Sequence, residues 1–514
     1  MRKLSLLVML VVFFLFAGCA SATTYYISYS SGSNTNNGTS KSTPWKTHPY
    51  MQATAGCTGN GSAPSYSHSA GDQFVFKQGE SWPNACFDMV IQAGGAAGNP
   101  DMYTFDPTWG TPGGTTGNLG QAVGTYQWSG GNSVINGGDG WNSFISDYGN
   151  HGYIVFNGME LTNYLFSSSG TYGVNHMIEL FQSQNVTTSN IWVHGWSHGG
   201  AGSDSLHVVS GYNTYNANAG SRLTGSVIDG ASDNGVSGEA AYAIPLIDNN
   251  IVKNMSNGFI SQEDSYIHDN QIGPINQSFD SSNHENCIEP DGPYAGVTTH
   301  TYIYNNVFHD CTAVGLLAAG NNTNSGSSVY YVWNNVVYQG TISGGNQRIL
   351  LQFSAIGSGG ANEAHAWNNT IVGDSQYCIR TLSQGGSWSV VDIRNNHCIS
   401  DQGTFLNDSS GSSQTISNNV LMSVATAASQ GYTSSETFAY SPRASSNGTV
   451  GAGISLANLG SSALATLSSD TTYGGLRPAQ SRPAGAGWDA GAYQFGSSSA
   501  APPPPTNVKV LSVQ

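Results

Sequence analysis

Charge is what this sequence has least of. Asp, Glu, Lys and Arg together make up 9% of its 514 residues, against about 25% in an ordinary soluble domain. Only 14 are Lys or Arg, and the net charge is −16. Nucleic-acid binding is therefore not expected, because no basic patch is present to neutralise phosphates and release counterions. An anionic polymer would be repelled overall and would need a local basic groove or a bound cation. Long surface helices are excluded as well, since they draw on Glu, Lys, Arg and Ala. Beyond the N-terminus no apolar run is long enough to span a membrane. No CxxC pair or Cys/His cluster has zinc spacing, so structural zinc is not expected.

What is abundant is glycine, at 66 residues, and aromatic side chains, at 11%. Large rings provide area to bury, which excludes a disordered Gly/Ser polymer. Together with frequent Ser, Thr and Asn they predict β structure with many turns. The N-terminus predicts export. Met1-Arg2-Lys3 is a basic n-region, Leu6 to Ala17 an apolar h-region, and Ala20-Ser21-Ala22 a small-residue cleavage site. Residues 1–22 thus read as a signal peptide and the protein as secreted or at the cell surface. An alternative is a lipoprotein signal. Phe16-Ala17-Gly18-Cys19 resembles a lipobox with Phe16 in the usual Leu position, which would lipidate Cys19.

From about residue 133 a phrase recurs: Asn, often doubled, then a short β-branched run. Asn249-Asn250-Ile251-Val252, Asn305-Asn306-Val307-Phe308, Asn334-Asn335-Val336-Val337 and Asn368-Asn369-Thr370-Ile371 are examples. Steps of about 20 to 36 residues separate successive phrases, as in a solenoid with loops of varying length. The strands are short with period two, and no helical pattern lies between them, which excludes βαβ units. One coil cannot bury its own apolar face, but stacked coils bury a common core. Asn suits the turn because it tolerates the left-handed region and can bond to its counterpart one coil away. The reading is an all-β, right-handed parallel β-helix of about ten or more coils with an irregular N-terminal region. A β-propeller is the alternative, but no blade of regular length is visible. The boundaries are 23–132 for the capping region and first coils, 133–440 for the helix, 441–496 for C-terminal coils and a closing strand, and 497–514 for a Pro-rich linker and tail. Cys287 and Cys311, like Cys378 and Cys398, lie near one coil apart. Stacked coils would bring them within disulfide reach. Cys57 and Cys86 would then pair in the N-terminal region. The alternative is buried free thiols.

Tyr25-Tyr26-Ile27-Ser28, Asn37-Gly38-Thr39 and Thr43-Pro44-Trp45-Lys46-Thr47 resemble the opening of secreted β-helix proteins of the pectate-lyase-like superfamily. Asp489-Ala490-Gly491-Ala492-Tyr493 resembles their closing strand. The resemblance implies the fold over roughly residues 23 to 496. It leaves the reaction open, because the superfamily holds polysaccharide lyases, glycoside hydrolases, epimerases and non-catalytic surface proteins. The Asn-Thr-Asp and Gly-His-Gly motifs of polygalacturonases and the Asp-Pro-His motif of mannuronate epimerases are missing. No Lys/Arg pair of the kind used by alginate or chondroitin lyases is found either.

Aligning the segments after the Asn phrases offers a candidate site. Asp204-Ser205-Leu206-His207, Asp233-Asn234-Gly235-Val236, Ser256-Asn257-Gly258-Phe259, His284-Glu285-Asn286-Cys287 and Ala313-Val314-Gly315-Leu316 fall into register. Asp204, Asp233, Ser256 and His284 then form one column, and Glu285 lies in the next. Two acids in adjacent coils repel unless they share a cation or a proton. The catalytic candidates are Asp204, His207, Asp233, Lys253, His284 and Glu285. Asp204, Asp233 and Glu289 are the candidate Ca²⁺ ligands. His194, Trp196 and His198 would form a groove wall. Three readings follow. A carboxylate pair can hydrolyse a glycosidic bond with inversion. Ca²⁺ can bridge a uronate while His207, His284 or Lys253 removes its C5 proton, as in a lyase, which is the preferred reading. The residues can also be turn formers in a non-catalytic glycan-binding protein. A monomer acting on a polysaccharide is expected.

Overall fold

The computed structural model describes residues 22–496, except 60, 112–132, 141–142, 167–174, 195–196, 199–205, 212–214, 231–237, 256, 262, 276–285, 291–295, 312, 322–325, 340–349, 357–360, 374–376, 402–403, 409–410, 460 and 486. Among them three long sheets run the length of the chain, every ladder parallel. Sheet A has 13 strands, sheet B 13 and sheet C 11. The chain visits A, B and C in turn and then starts again. Ile154–Asn157 in A, Met159–Phe166 in B and Asn175–Leu180 in C make one such circuit. Successive circuits stack strand on strand, and such parallel crossovers are right-handed. This is the expected right-handed parallel β-helix. Tyr25 to Ile27 lie in its first strand, Thr24–Ile27, which pairs with Gln73–Gln78.

The doubled asparagines explain the tight corner from A to B. The first member, or Asp269 in its place, takes a left-handed φ: 56° at Asn249, 58° at Asn305, 56° at Asn334 and 51° at Asn368. The second points inward. Asn250, Asn270, Asn306, Asn335, Asn369, Asn396 and Asn419 form an unbroken ladder. The Oδ1 of each accepts from the backbone N–H and Nδ2 of the one before, as from Asn335 to Asn369 at 3.1 and 3.0 Å. Asn is one of few side chains able to donate and accept in the same stack. Inside, Phe156, Val186, Leu223, Ile247, Ile267 and Ile303 are fully buried in one continuous core.

The three expected disulfides are present: Cys57–Cys86, Cys287–Cys311 and Cys378–Cys398. Their geometry differs from like positions stacked one coil apart. Cys378 belongs to sheet C and Cys398 to sheet B, so the bond crosses the interior between sheets. Gly487 to Phe495 form no strand. Asp489 instead folds them into a turn, accepting from the N–H groups of Gly451 and Phe495. This C-terminal segment lies over sheets A and B. Tyr473 and Tyr493 pack on Val307, Val336 and Val372, while Leu464, Leu467 and Trp488 pack on Trp333 and Trp367. Arg482, 5% exposed, pins it by donating to the Ser469, Asp489, Gly491, Ala492 and Tyr493 carbonyls and to Asn334 Oδ1.

Candidate functional site on the outer face of sheet C

Sheet C departs from strict alternation at one level. Met177–Ile178, Val208–Val209 and Ala240–Ala241 are consecutive residues, all fully buried. The ladder skips the first member of each pair, matching His176 to His207 and then Ile178 to Val209. Two neighbours therefore face the core, and the residues flanking them both face outward. The outward pairs in successive coils are His176/Glu179, His207/Ser210, Glu239/Tyr242, Asn257/Ile260 and Asn286/Glu289. Contacts within pairs bear this out. His207 Nδ1 is 3.4 Å from Ser210 Oγ, and Asn286 Nδ2 donates to Glu289 Oε2 at 2.9 Å.

One column runs His176, His207, Glu239, Asn257; the other runs Ser146, Glu179, Ser210, Tyr242, Ile260, Glu289. At their centre His207 Nε2 meets Glu239 Oε2. Both residues are buried, at 5% and 6% exposure. The Tyr242 ring stacks on the imidazole at 4.3 Å and 11°, and His176 lies at 5.3 Å. These contacts hold the imidazole rigidly, with a carboxylate on one nitrogen and a hydroxyl near the other. Burial, then the neighbouring His207, pushes His176 down to about 3, so it is neutral. Beside it Tyr148 donates to Glu179 Oε2 at 3.0 Å, and Ser146 donates to Asp88 Oδ2 at 2.8 Å. Burial raises Glu179 and brings Asp88 up to about 6. The face therefore carries an imidazole–carboxylate pair and a second pair of acids that burial shifts upward from the usual carboxylate range. Such perturbed groups gather where proton transfer is performed.

The expected register is displaced. It set His207 against Val236 and Phe259, but His207 pairs with Glu239 and Glu239 with Asn257. The column of Asp204, Asp233, Ser256 and His284 therefore does not follow from strand pairing. Asp204, Asp233, His284 and Glu285 lie outside the described residues. His207 and Glu289 are on the face. Lys253 is not: it ends a strand of sheet B, with Nζ 3.0 Å from Asp229 Oδ2. His194, expected in the groove wall, stacks on Trp192 of sheet B and meets Glu160 Oε1 at 2.7 Å. The side chains of Trp196 and His198 lie outside the described residues. Among the described residues no group of three or more His, Cys, Asp or Glu is arranged to hold a metal ion.

Sequence reading missed Glu239, Tyr242, His176 and Glu179. A signal for them was available. His-Met-Ile-Glu, His-Val-Val-Ser, Glu-Ala-Ala-Tyr and Asn-Cys-Ile-Glu each place two polar groups around two small or apolar ones.

Compared with known proteins, the chain matches no family model and no curated protein. Solved structures similar to it include a GH136 lacto-N-biosidase from Eubacterium ramulus, at 13% identity and TM-score 0.41, covering 78% of this chain and 68% of that one. A rhamnogalacturonan lyase aligns at 12% identity and TM-score 0.35, over 77% and 87% of the two chains. An alginate lyase from Paenibacillus sp. aligns at 12% and 0.31, over 68% and 93%. At this similarity they add nothing to the strand order described above.

Proposed function

We propose that the protein is an exported enzyme that cleaves a polysaccharide on the outer face of sheet C. The observation that carries this reading is the buried His207–Glu239 pair, set in an outward strip of titratable groups. A structural strand face needs no such arrangement, because burying paired ionisable groups costs free energy. Three disulfides support an oxidising destination. The preferred reaction is β-elimination on a uronate. Glu239 orients the imidazole, and His207 removes the C5 proton. Tyr148, protonated because burial lifts it to about 12, is the candidate donor to the leaving oxygen. The negative charge developing on the uronate needs a partner. A bound Ca²⁺ would offset it, with Asp204 and Asp233 the proposed ligands; Glu289 lies three ladder steps from Ser210, away from His207.

Asp88 and Glu179 favour a second reading, inverting hydrolysis. A carboxyl held near 6 is an acid that can protonate a leaving oxygen, and a neighbouring carboxylate can activate water. One screen separates them. Uronate-rich and neutral glycans are incubated with the protein, and unsaturated ends are read by absorbance against total reducing ends. Unsaturated ends that vanish in His207→Ala support the lyase. Reducing ends without unsaturation, lost in Asp88→Asn, support the hydrolase. No cleavage of any glycan defeats both.

A further inference from the structure

Just past the ends of the sheet C strands a cleft of about 730 Å³ opens at the corner where the chain turns towards sheet A. Gly94, Asn150, His151, Gln182, Gln184 and Tyr215 line it, drawn from successive coils. Among the described residues that line it there is no Lys or Arg. The acids sit behind the wall. Asp147, fully buried, accepts from His151 Nδ1 at 2.8 Å, from Gly149 N–H at 3.1 Å and from Ser183 Oγ. Glu263, 4% exposed, accepts from Asn216 N–H at 2.9 Å, and Asp264 accepts from Tyr215 OH at 3.1 Å.

Asp147 thus fixes the tautomer of His151. In the neutral ring the proton is then on Nδ1, and Nε2 is an acceptor. An acceptor nitrogen, side-chain amides, glycine backbone and tyrosine rings match the hydroxyls and CH faces of a sugar. The negative charge of Asp147 and Asp264 behind the wall disfavours a carboxylate. The cleft also continues the proposed site. Ser146 and Tyr148 of that site flank Asp147, and Gln182 lies in the turn two residues past the end of the strand that carries Glu179.

We infer that this corner cleft is a binding subsite for neutral sugar residues, read by His151, lying beside the proposed reaction face. The assignment rests on that reading only for which polymer occupies it; binding itself requires no turnover.

The test is retardation of the full protein in native gels cast with a neutral polysaccharide (galactan, xylan or galactomannan) or an anionic one (polygalacturonate or alginate). Two variants act differently. Ala217→Trp fills the cleft without removing a hydrogen bond, and His151→Ala removes the acceptor. A neutral polysaccharide should retard the wild type. Ala217→Trp should abolish the retardation, and His151→Ala should weaken the apparent affinity by about tenfold, a loss expected from one well-placed buried hydrogen bond. Retardation by no neutral polysaccharide, by the anionic ones only, or persisting in both cleft variants overturns the subsite. If neutral retardation depends on the cleft but no glycan is cleaved, the subsite stands and the proposed enzyme falls.

Discussion

Asn368 and Asn369 are adjacent, identical and both fully buried, yet their removal should differ by several kcal/mol. The Asn369 side chain makes four hydrogen bonds. Nδ2 donates to Val332 O and Asn396 Oδ1, both at 3.0 Å, and Oδ1 accepts from Asn335 N–H and Nδ2 at 3.1 and 3.0 Å. In Asn369→Ala the Asn335 N–H loses its acceptor inside the core. At about 1 kcal/mol per bond, the loss is about 4 kcal/mol. Asn368 has neither Nδ2 nor Oδ1 bonded to anything, and its backbone sits at φ 51°. Glycine takes that conformation freely, so Asn368→Gly relieves two unpaired polar atoms and a backbone penalty. Against this stand lost contacts and a more flexible unfolded chain, and the net change should stay within about 1 kcal/mol. Thermal unfolding reads the difference. A chain this long shifts by about 2 °C or less per kcal/mol, so Asn369→Ala should fall by several degrees and Asn368→Gly by hardly any. Hydrogen exchange should rise at the corners of the coils on either side of residue 369 and stay unchanged elsewhere. Equal losses in the two variants would refute the ladder as the source of corner stability.

Other outcomes follow from the outer face of sheet C and its surroundings. Glu239→Gln should lower kcat by roughly a hundredfold with KM little changed, since it removes the group that orients the base but no sugar contact; a rise in KM alone would contradict that role. Asp88, held near 6 by burial, is protonated below that pH. In the hydrolase reading activity should therefore fall as pH rises through about 6, and Asp88→Asn should abolish rather than shift the profile. Burial lifts Glu263 to about 7, so the folded state holds a proton that the unfolded state releases at lower pH. Stability from this group is complete below its unfolded pKa and is lost as pH rises through about 7. Glu263→Gln should thus gain up to about 3 kcal/mol on the wild type at pH 8 and nothing near pH 4, as urea unfolding at the two pH values would reveal. The Cys378–Cys398 bond closes a loop of 20 residues. Replacing both cysteines by alanine should cost about 3 kcal/mol by loop entropy, measurable in the same assay.

The fold was legible in the sequence because its corner is encoded locally. A left-handed φ and a stacked amide both favour Asn, so from Asn249 to Asn419 coil after coil repeats the same two letters, with Asp269 once in the first place. The site was only half legible. His207 stood out as a histidine among apolar residues, but its partner depended on register. Register in sheet C is set by small apolar pairs such as Ala240–Ala241, which look like nothing in particular as letters. Alignment of the letters sets Val236 opposite His207, whereas the ladder sets Glu239 there. Arg482 and Asp489 were similarly opaque. Their partners are carbonyls and N–H groups brought together only by the C-terminal segment folding back.

The asparagine ladder stands at the corner between sheets A and B, while the route from B to C varies in length. Only residues 254–256 separate Lys253 from Asn257, whereas Ile272 and Ile288 are joined by a much longer stretch. Both routes deliver the next strand into the same ladder with its neighbours. Spacing on one edge is thus indexed independently of what is inserted on the other. A B-to-C segment from one coil should accordingly be transplantable into another, with every later coil keeping its phase. That would make the molecule a rack on which recognition loops are exchanged singly.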